Sequence, residues 1–179
     1  MKPLPDVLGP DLTVLFCGIN PSVLSAERGH HFARPGNRFW PALHGAGFTP
    51  RRLSPDEDGL LPSFGLGITN VVARPTRAAS ELSDAELHEG FGELSDLVAR
   101  VRPRVLAMVG IGAWRVVSGR RRATVGLQAE TVGERVGGTP VWVLPNTSGL
   151  NANHQLPDLV RLFTELRLWL PGGGATLRP

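Results

Sequence analysis

The chain has 179 residues of which 41% are hydrophobic, enough apolar material for one core of ordinary size. Its formal charge is +3, and because Lys2 is the only lysine the basic side is almost wholly arginine; that composition permits phosphate contact and equally suits a genome of biased base content. One cysteine, Cys17, excludes an intramolecular disulfide and any multi-cysteine metal or cluster site, and points to a reducing compartment.

Met1 to Pro10 lacks the basic-then-apolar layout of a secretory signal, and no apolar run approaches the roughly 18 residues of a membrane span. A soluble, cytoplasmic protein with no membrane partner is expected.

Leu12 to Cys17 is an apolar run stopped by Gly18 and Pro21, the pattern of a buried strand entering a loop. After a long loop, Asn37 is placed to cap a helix through about Gly45, with Phe39, Trp40 and Leu43 inward. Arg51 to Pro62 is polar, interrupted by Pro55 and Pro62, and reads as loop with a short helical turn near Asp56. Leu66 to Val72 is a second strand, and Arg74 to Ser80 a connection. Ser83-Asp84-Ala85-Glu86 is a capping box, and Leu87, Phe91, Leu94, Leu97, Val98 and Val101 follow at helical spacing until Pro103. Val105 to Val109 is a fully apolar third strand, and Gly110 to Ser118 a short helix. Gly119 to Arg122 is a basic turn, followed by a poorly patterned segment to Gly138. Val141 to Leu144 is the last strand, Pro145 to Asn153 a loop, and Leu156 to Leu170 the closing helix. The tail from Pro171 should fray.

Strands alternating with helices predict an α/β fold, a mostly parallel central sheet flanked by helices on both faces. One domain over residues 1–179 is expected, with its core at about 10–170. Two loops rich in Gly, Pro and Asn each follow a strand, Leu12 to Cys17 and Val141 to Leu144. If those strands are parallel neighbours, both loops meet at the carboxyl edge, where ligands bind in open α/β sheets.

Within those loops, Gly18-Ile19-Asn20-Pro21 with Phe32-Ala33-Arg34-Pro35-Gly36-Asn37-Arg38-Phe39-Trp40, and then Leu144-Pro145-Asn146-Thr147-Ser148-Gly149-Leu150-Asn151, resemble the two signatures of the mismatch-specific uracil-DNA glycosylase and thymine-DNA glycosylase family. Gly67-Ile68-Thr69-Asn70 with Arg74-Pro75-Thr76 is similar to it as well, so the resemblance runs over roughly residues 10 to 168. Gly29-His30-His31 is nearer the thymine-DNA glycosylase side. Departures are Ser22, where the family commonly has Gly, and Ala152-Asn153-His154, where it often has Arg.

The resemblance implies a glycosylase fold and the removal of a pyrimidine base from DNA. Such a reaction breaks the bond from N1 to the sugar after the nucleotide has been flipped from the duplex, at a cost of roughly a few kcal/mol. It needs a stacking surface, groups matched to the base, a filler for the hole and a positioned water. Asn20 is the expected catalytic residue, holding a water with its amide oxygen and bonding substrate with its nitrogen; its bland alternative is a turn residue before Pro21. An amide cannot take the water's proton, so preorganised electrostatics and the leaving ability of the base must lower the barrier. Phe32 would be the stacking face, or else a core side chain. By resemblance, Ile19 lines the base pocket and Ser25 lies near the pyrimidine C5. Asn70 and Asn146 are expected among the substrate-binding residues. Leu150 would be the wedge that fills the hole, with Gly149 and Asn151 offering backbone groups to the orphaned guanine; a plain loop anchor is its alternative.

Arg74 could contact DNA or brace the pocket, and Arg120, Arg121 and Arg122 could meet phosphates or form a solvated turn. Asp84 and Glu86 are explained by the capping box. No lysine stands in either signature to form a Schiff base, so strand cleavage is not expected. The expectation is a monofunctional, monomeric enzyme without metal or cofactor, acting on double-stranded DNA that contains uracil or a mismatched pyrimidine, preferably G:U, with ethenocytosine and thymine as further candidate bases. Competing readings are a non-catalytic DNA-binding module and a nucleotide- or S-adenosylmethionine-binding Rossmann-like enzyme. The latter rests on Val109-Gly110-Ile111-Gly112, which has Arg115 where the third glycine belongs.

Overall fold

A computed structural model describes residues 3–128 and 135–172. Five strands form one sheet, β1 (Val14–Gly18), β2 (Leu66–Asn70), β3 (Val105–Val109), β4 (Gly126–Leu127) and β5 (Val141–Leu144), in the order β2-β1-β3-β5-β4. All pairings are parallel except β4 with β5. Five α-helices accompany them: α1 (Val23–Arg28), α2 (Phe39–Gly45), α3 (Asp84–Val101), α4 (Ile111–Ser118) and α5 (Leu156–Trp169).

The strands are apolar on both faces because both faces are covered. Val14 and Phe16 of β1 join a cluster with Phe39 and Leu43 of α2 and Leu159 and Phe163 of α5. Leu15 and Cys17, pointing the other way, pack with Leu94 and Val98 of α3 and Trp114 of α4. Burial pushes the Cys17 thiol pKa upward, so it is an inert core group.

Capping sets the helix bounds as the residues suggest. Ser83 Oγ accepts the Glu86 amide and Glu86 answers the Ser83 amide, opening α3. Asn37 Oδ1 accepts the Phe39 N–H at 2.9 Å, although Arg38 is the residue at the cap position of α2. The polar stretch expected as loop with a short helical turn near Asp56 is a 3-10 helix over Pro55–Phe64, started by Ser54 and Glu57, so the turn is there but longer than expected. The segment expected to lack pattern contains β4, whose two residues pair antiparallel on the sheet edge and are too short to show a period. The expected fraying of residues 173–179 lies outside the described residues.

The condition set for the two loops to meet, that β1 and β5 be neighbours, is not the arrangement found, because β3 lies between them. Their loops nevertheless reach each other across the end of β3, through the Arg38 and Asn37 side chains and the Arg38 main-chain amide and not through adjacent strands. Among the described residues no helix is long and apolar enough to cross a membrane.

Candidate active site

A cavity of about 560 Å³ opens at the carboxyl ends of β1, β2, β3 and β5. Its walls come from the β1 loop, the β2 loop through Ala79, the β3–α4 turn and the β5 loop through His154. Ile19, Asn20, Ser25, Phe32, Asn70, Asn146, Leu150 and Asn151 all line it, while Gly149 does not. Neither an acid nor a lysine is found in that lining.

Asn20 is held in one orientation. Its Nδ2 donates to the Arg74 main-chain oxygen at 2.8 Å and to Thr76 Oγ1 at 2.8 Å. A carbonyl can only accept, so the nitrogen must face it, and both amide hydrogens are committed to the protein. Oδ1 is left as the acceptor of this side chain. The expectation that the nitrogen bonds substrate is therefore corrected. Thr76 is itself fixed, since its hydroxyl donates to the Ala78 oxygen at 2.8 Å.

Arg74 acts through its main chain; its guanidinium turns away to Glu86 at 2.7 Å. That hydrogen bond, with help from the Ser83 amide, holds the Glu86 carboxyl down at about 2. Glu86 is thus committed to the cap and the ion pair, and neither it nor Asp84 lines the cavity.

The Phe32 ring stacks on Phe39 with centroids 4.1 Å apart and planes at 18°, and Phe39 packs edge-on against Phe16 of β1. One face of Phe32 is thereby anchored to the core, while the residue also lines the cavity. Its φ of 51° is in the left-handed region, a strained position for an aromatic residue that the surrounding loop must impose. That imposition is visible in the bonds on either side. Asp58 accepts the His31 amide at 3.0 Å and meets His30 Nδ1 at 3.1 Å, and Ser25 Oγ accepts the Ala33 amide at 3.0 Å. Ser25 is buried and braces the loop as well as lining the cavity.

His31 is 2% exposed and donates from Nε2 to the Pro5 oxygen at 2.8 Å. This fixes the neutral tautomer, with Nδ1 as acceptor toward Asn70 Nδ2 at 3.5 Å. Burial holds the His31 pKa below the usual histidine range, against the pull of the Pro5 carbonyl and of Asp58. Asn70 Oδ1 lies over Gly18, where a Cβ would come within 2.5 Å of it.

The β5 loop is built largely from its own polar groups. Asn146 Oδ1 accepts the Ser148 amide, Asn151 Nδ2 donates to the Asn146 oxygen, and Ser148 Oγ accepts the Leu150 amide. The result presents Leu150 with 76% of its surface exposed. Arg38 joins the two loops. Its Nη2 donates to the oxygens of Ser148 and Asn151 at 2.6 and 2.9 Å, and its Nη1 to that of His154 at 2.6 Å. Asn37 Oδ1 accepts the Thr147 hydroxyl at 3.0 Å, and a Cβ on Gly149 would lie 2.7 Å from the Gly36 oxygen. Sequence reasoning gave no role to Arg38, Thr76 or Asp58. The first two stand inside the recognised stretches, so position was the available signal; Asp58 in a polar loop offered none. Among the described residues no group of three potential metal ligands occurs.

Fold and site together define an α/β protein with an amide-bearing pocket at the strand ends and an exposed apolar side chain, Leu150, beside it. The chain belongs to the Uracil DNA glycosylase superfamily, whose model matches residues 5–167. Membership implies a hydrolase of N-glycosyl bonds in DNA. The fold is also similar to the solution NMR structure of a candidate uracil DNA glycosylase from Methanosarcina acetivorans, with a TM-score of 0.61 and 21% identity over 92% of this chain and 97% of that one.

Proposed function

We propose that the protein is a monofunctional glycosylase of the mismatch-specific uracil and thymine-DNA glycosylase branch, hydrolysing uracil from double-stranded DNA and preferring uracil opposite guanine. The observation that carries this reading is the clamped Asn20 amide. With both hydrogens on Arg74 and Thr76, its oxygen is the atom of this amide left for a water or a sugar, in a cavity lined by no carboxylate.

In this mechanism the flipped uracil lies against Phe32, and Asn20 Oδ1 orients a water toward the anomeric carbon. The N1–C1′ bond breaks as positive charge gathers on the sugar and the base departs as an anion; the water oxygen then bonds to C1′ and loses its proton to solvent or to the base. An amide positions water without taking its proton, so turnover is slow. With no lysine lining the cavity, no Schiff base forms and the product is an intact abasic strand. Leu150 enters the stack in place of the flipped base.

Oligonucleotides carrying one uracil, as single strand and as duplex opposite guanine or adenine, test the reading through alkali-labile abasic sites. Faster excision from the guanine duplex is expected. Equal excision from all three would remove the account of opposite-base reading, and none at all would remove the uracil assignment.

A further inference from the structure

Behind the loop that carries Phe32 lies a second cleft, of about 340 Å³. It shares Phe32, Arg34 and Asn37 with the larger cavity, so the two adjoin on either side of one loop. Arg28, Arg34 and Arg52 line it, and no acid does. All three are exposed. Arg51, the chain neighbour of Arg52, is by contrast paired with Glu57 at 2.6 Å. Among the described residues, no side-chain hydrogen bond or ion pair engages Arg28, Arg34 or Arg52.

Three cations drawn from three separate segments, α1, the Phe32 loop and the stretch before the 3-10 helix, converge on one cleft without an internal counter-ion. Like charges placed together repel unless an anion joins them, and guanidinium groups bind phosphate oxygens in a forked geometry. An occupant that follows the rim of this loop also meets whatever fills the neighbouring cavity. A nucleotide in that cavity is covalently tied to the phosphates on either side of it. We propose that this cleft is the track for the phosphate backbone of the lesion-bearing strand, with Arg28, Arg34 and Arg52 holding phosphates close to the flipped nucleotide. The proposal rests on the glycosylase reading, and it adds which strand is gripped and by which residues.

Binding, not excision, is the readout that separates the two. A fluorescein-labelled duplex with one central uracil opposite guanine is titrated by anisotropy at several KCl concentrations. The proteins are wild type, the triple variant Arg28→Ala/Arg34→Ala/Arg52→Ala, the corresponding triple lysine variant, and a control, Arg100→Ala/Arg104→Ala, at the other end of the sheet. Each phosphate contact contributes about 0.9 to the slope of log K against log salt, so the alanine triple should be shallower by roughly 2 to 3. The lysine triple should keep most of the slope, and the control should leave it unchanged. Methylphosphonates flanking the uracil on the lesion strand should abolish the difference between wild type and the alanine triple, whereas those on the opposite strand should not.

An unchanged slope in the alanine triple overturns the proposal while leaving the glycosylase reading intact. A difference abolished only by methylphosphonates on the opposite strand overturns the assignment to the lesion strand. Failure of wild type to bind any duplex overturns both readings.

Discussion

Arg38 donates from Nη2 to the Ser148 main-chain oxygen at 2.6 Å, joining the loop after β1 to the loop after β5. The same guanidinium reaches the oxygens of Asn151 and His154, and the Arg38 amide donates to the Thr147 oxygen at 2.9 Å. Because β3 separates the two strands, this side chain does what strand pairing cannot. Arg38→Ala removes a charged donor from three carbonyls at once. A loss of about 2 kcal/mol in urea unfolding is expected, with weakened lesion binding. Arg38→Lys should recover part of it, since one ammonium cannot span the same fork. Unaltered stability in the alanine variant would show that the loops meet without it.

Thr76→Val tests the clamp on Asn20. The hydroxyl accepts one Asn20 hydrogen and gives its own to Ala78, so its loss frees the amide to rotate. Excision should fall about tenfold with little change in melting temperature, while Asn20→Ala should cost roughly a hundredfold or more and keep duplex binding. Single-turnover rates on a G:U duplex check both. Normal rates in Asn20→Ala would remove that residue from the chemistry.

Gly149 and Leu150 are adjacent and should respond in opposite ways. A Cβ at position 149 meets the Gly36 oxygen at 2.7 Å, backbone against backbone, so Gly149→Ala should destabilise the fold by about 1 to 3 kcal/mol. Leu150 is 76% exposed, so Leu150→Ala should change stability by no more than about 0.5 kcal/mol yet weaken binding to a lesion duplex roughly tenfold. Thermal unfolding and anisotropy distinguish the two patterns.

His31 gives the stability curve a mildly acidic limb. Its folded pKa is lowered by burial, so below the ordinary histidine value of 6.5 the unfolded chain binds the proton that the folded chain refuses. Its contribution is complete above that value and is lost as pH falls toward the folded pKa. Glu57 and Glu86, held at about 2 by hydrogen bonds from Arg51 and Arg74, act in a lower window, between their ordinary 4.5 and about 2. His31→Gln should flatten denaturant midpoints between pH 7 and 5 and leave the steeper loss below pH 4.5 in place. Parallel curves for variant and wild type across pH 7 to 5 would assign that limb to other groups.

The sequence by itself determined most strands and helices, because apolar runs, capping residues and helical spacing are local properties of the chain; it did not show α1, which falls in the long loop expected after β1, or the two-residue β4. β3 was legible to the residue, and so was the start of α3, set by Ser83 and Glu86. It also placed Asn20, Phe32 and Leu150 on loops that follow strands. Only the tertiary structure decided the strand order, since pairing partners for apolar strands are not written in their periodicity. It alone decided which amide hydrogens of Asn20 are committed, because Arg74 and Thr76 lie more than fifty positions away. The same holds for Arg38, whose partners lie more than a hundred positions along the chain, and for the cleft of Arg28, Arg34 and Arg52. Main-chain oxygens carry no residue identity, so a site braced through them becomes visible only when the chain is folded.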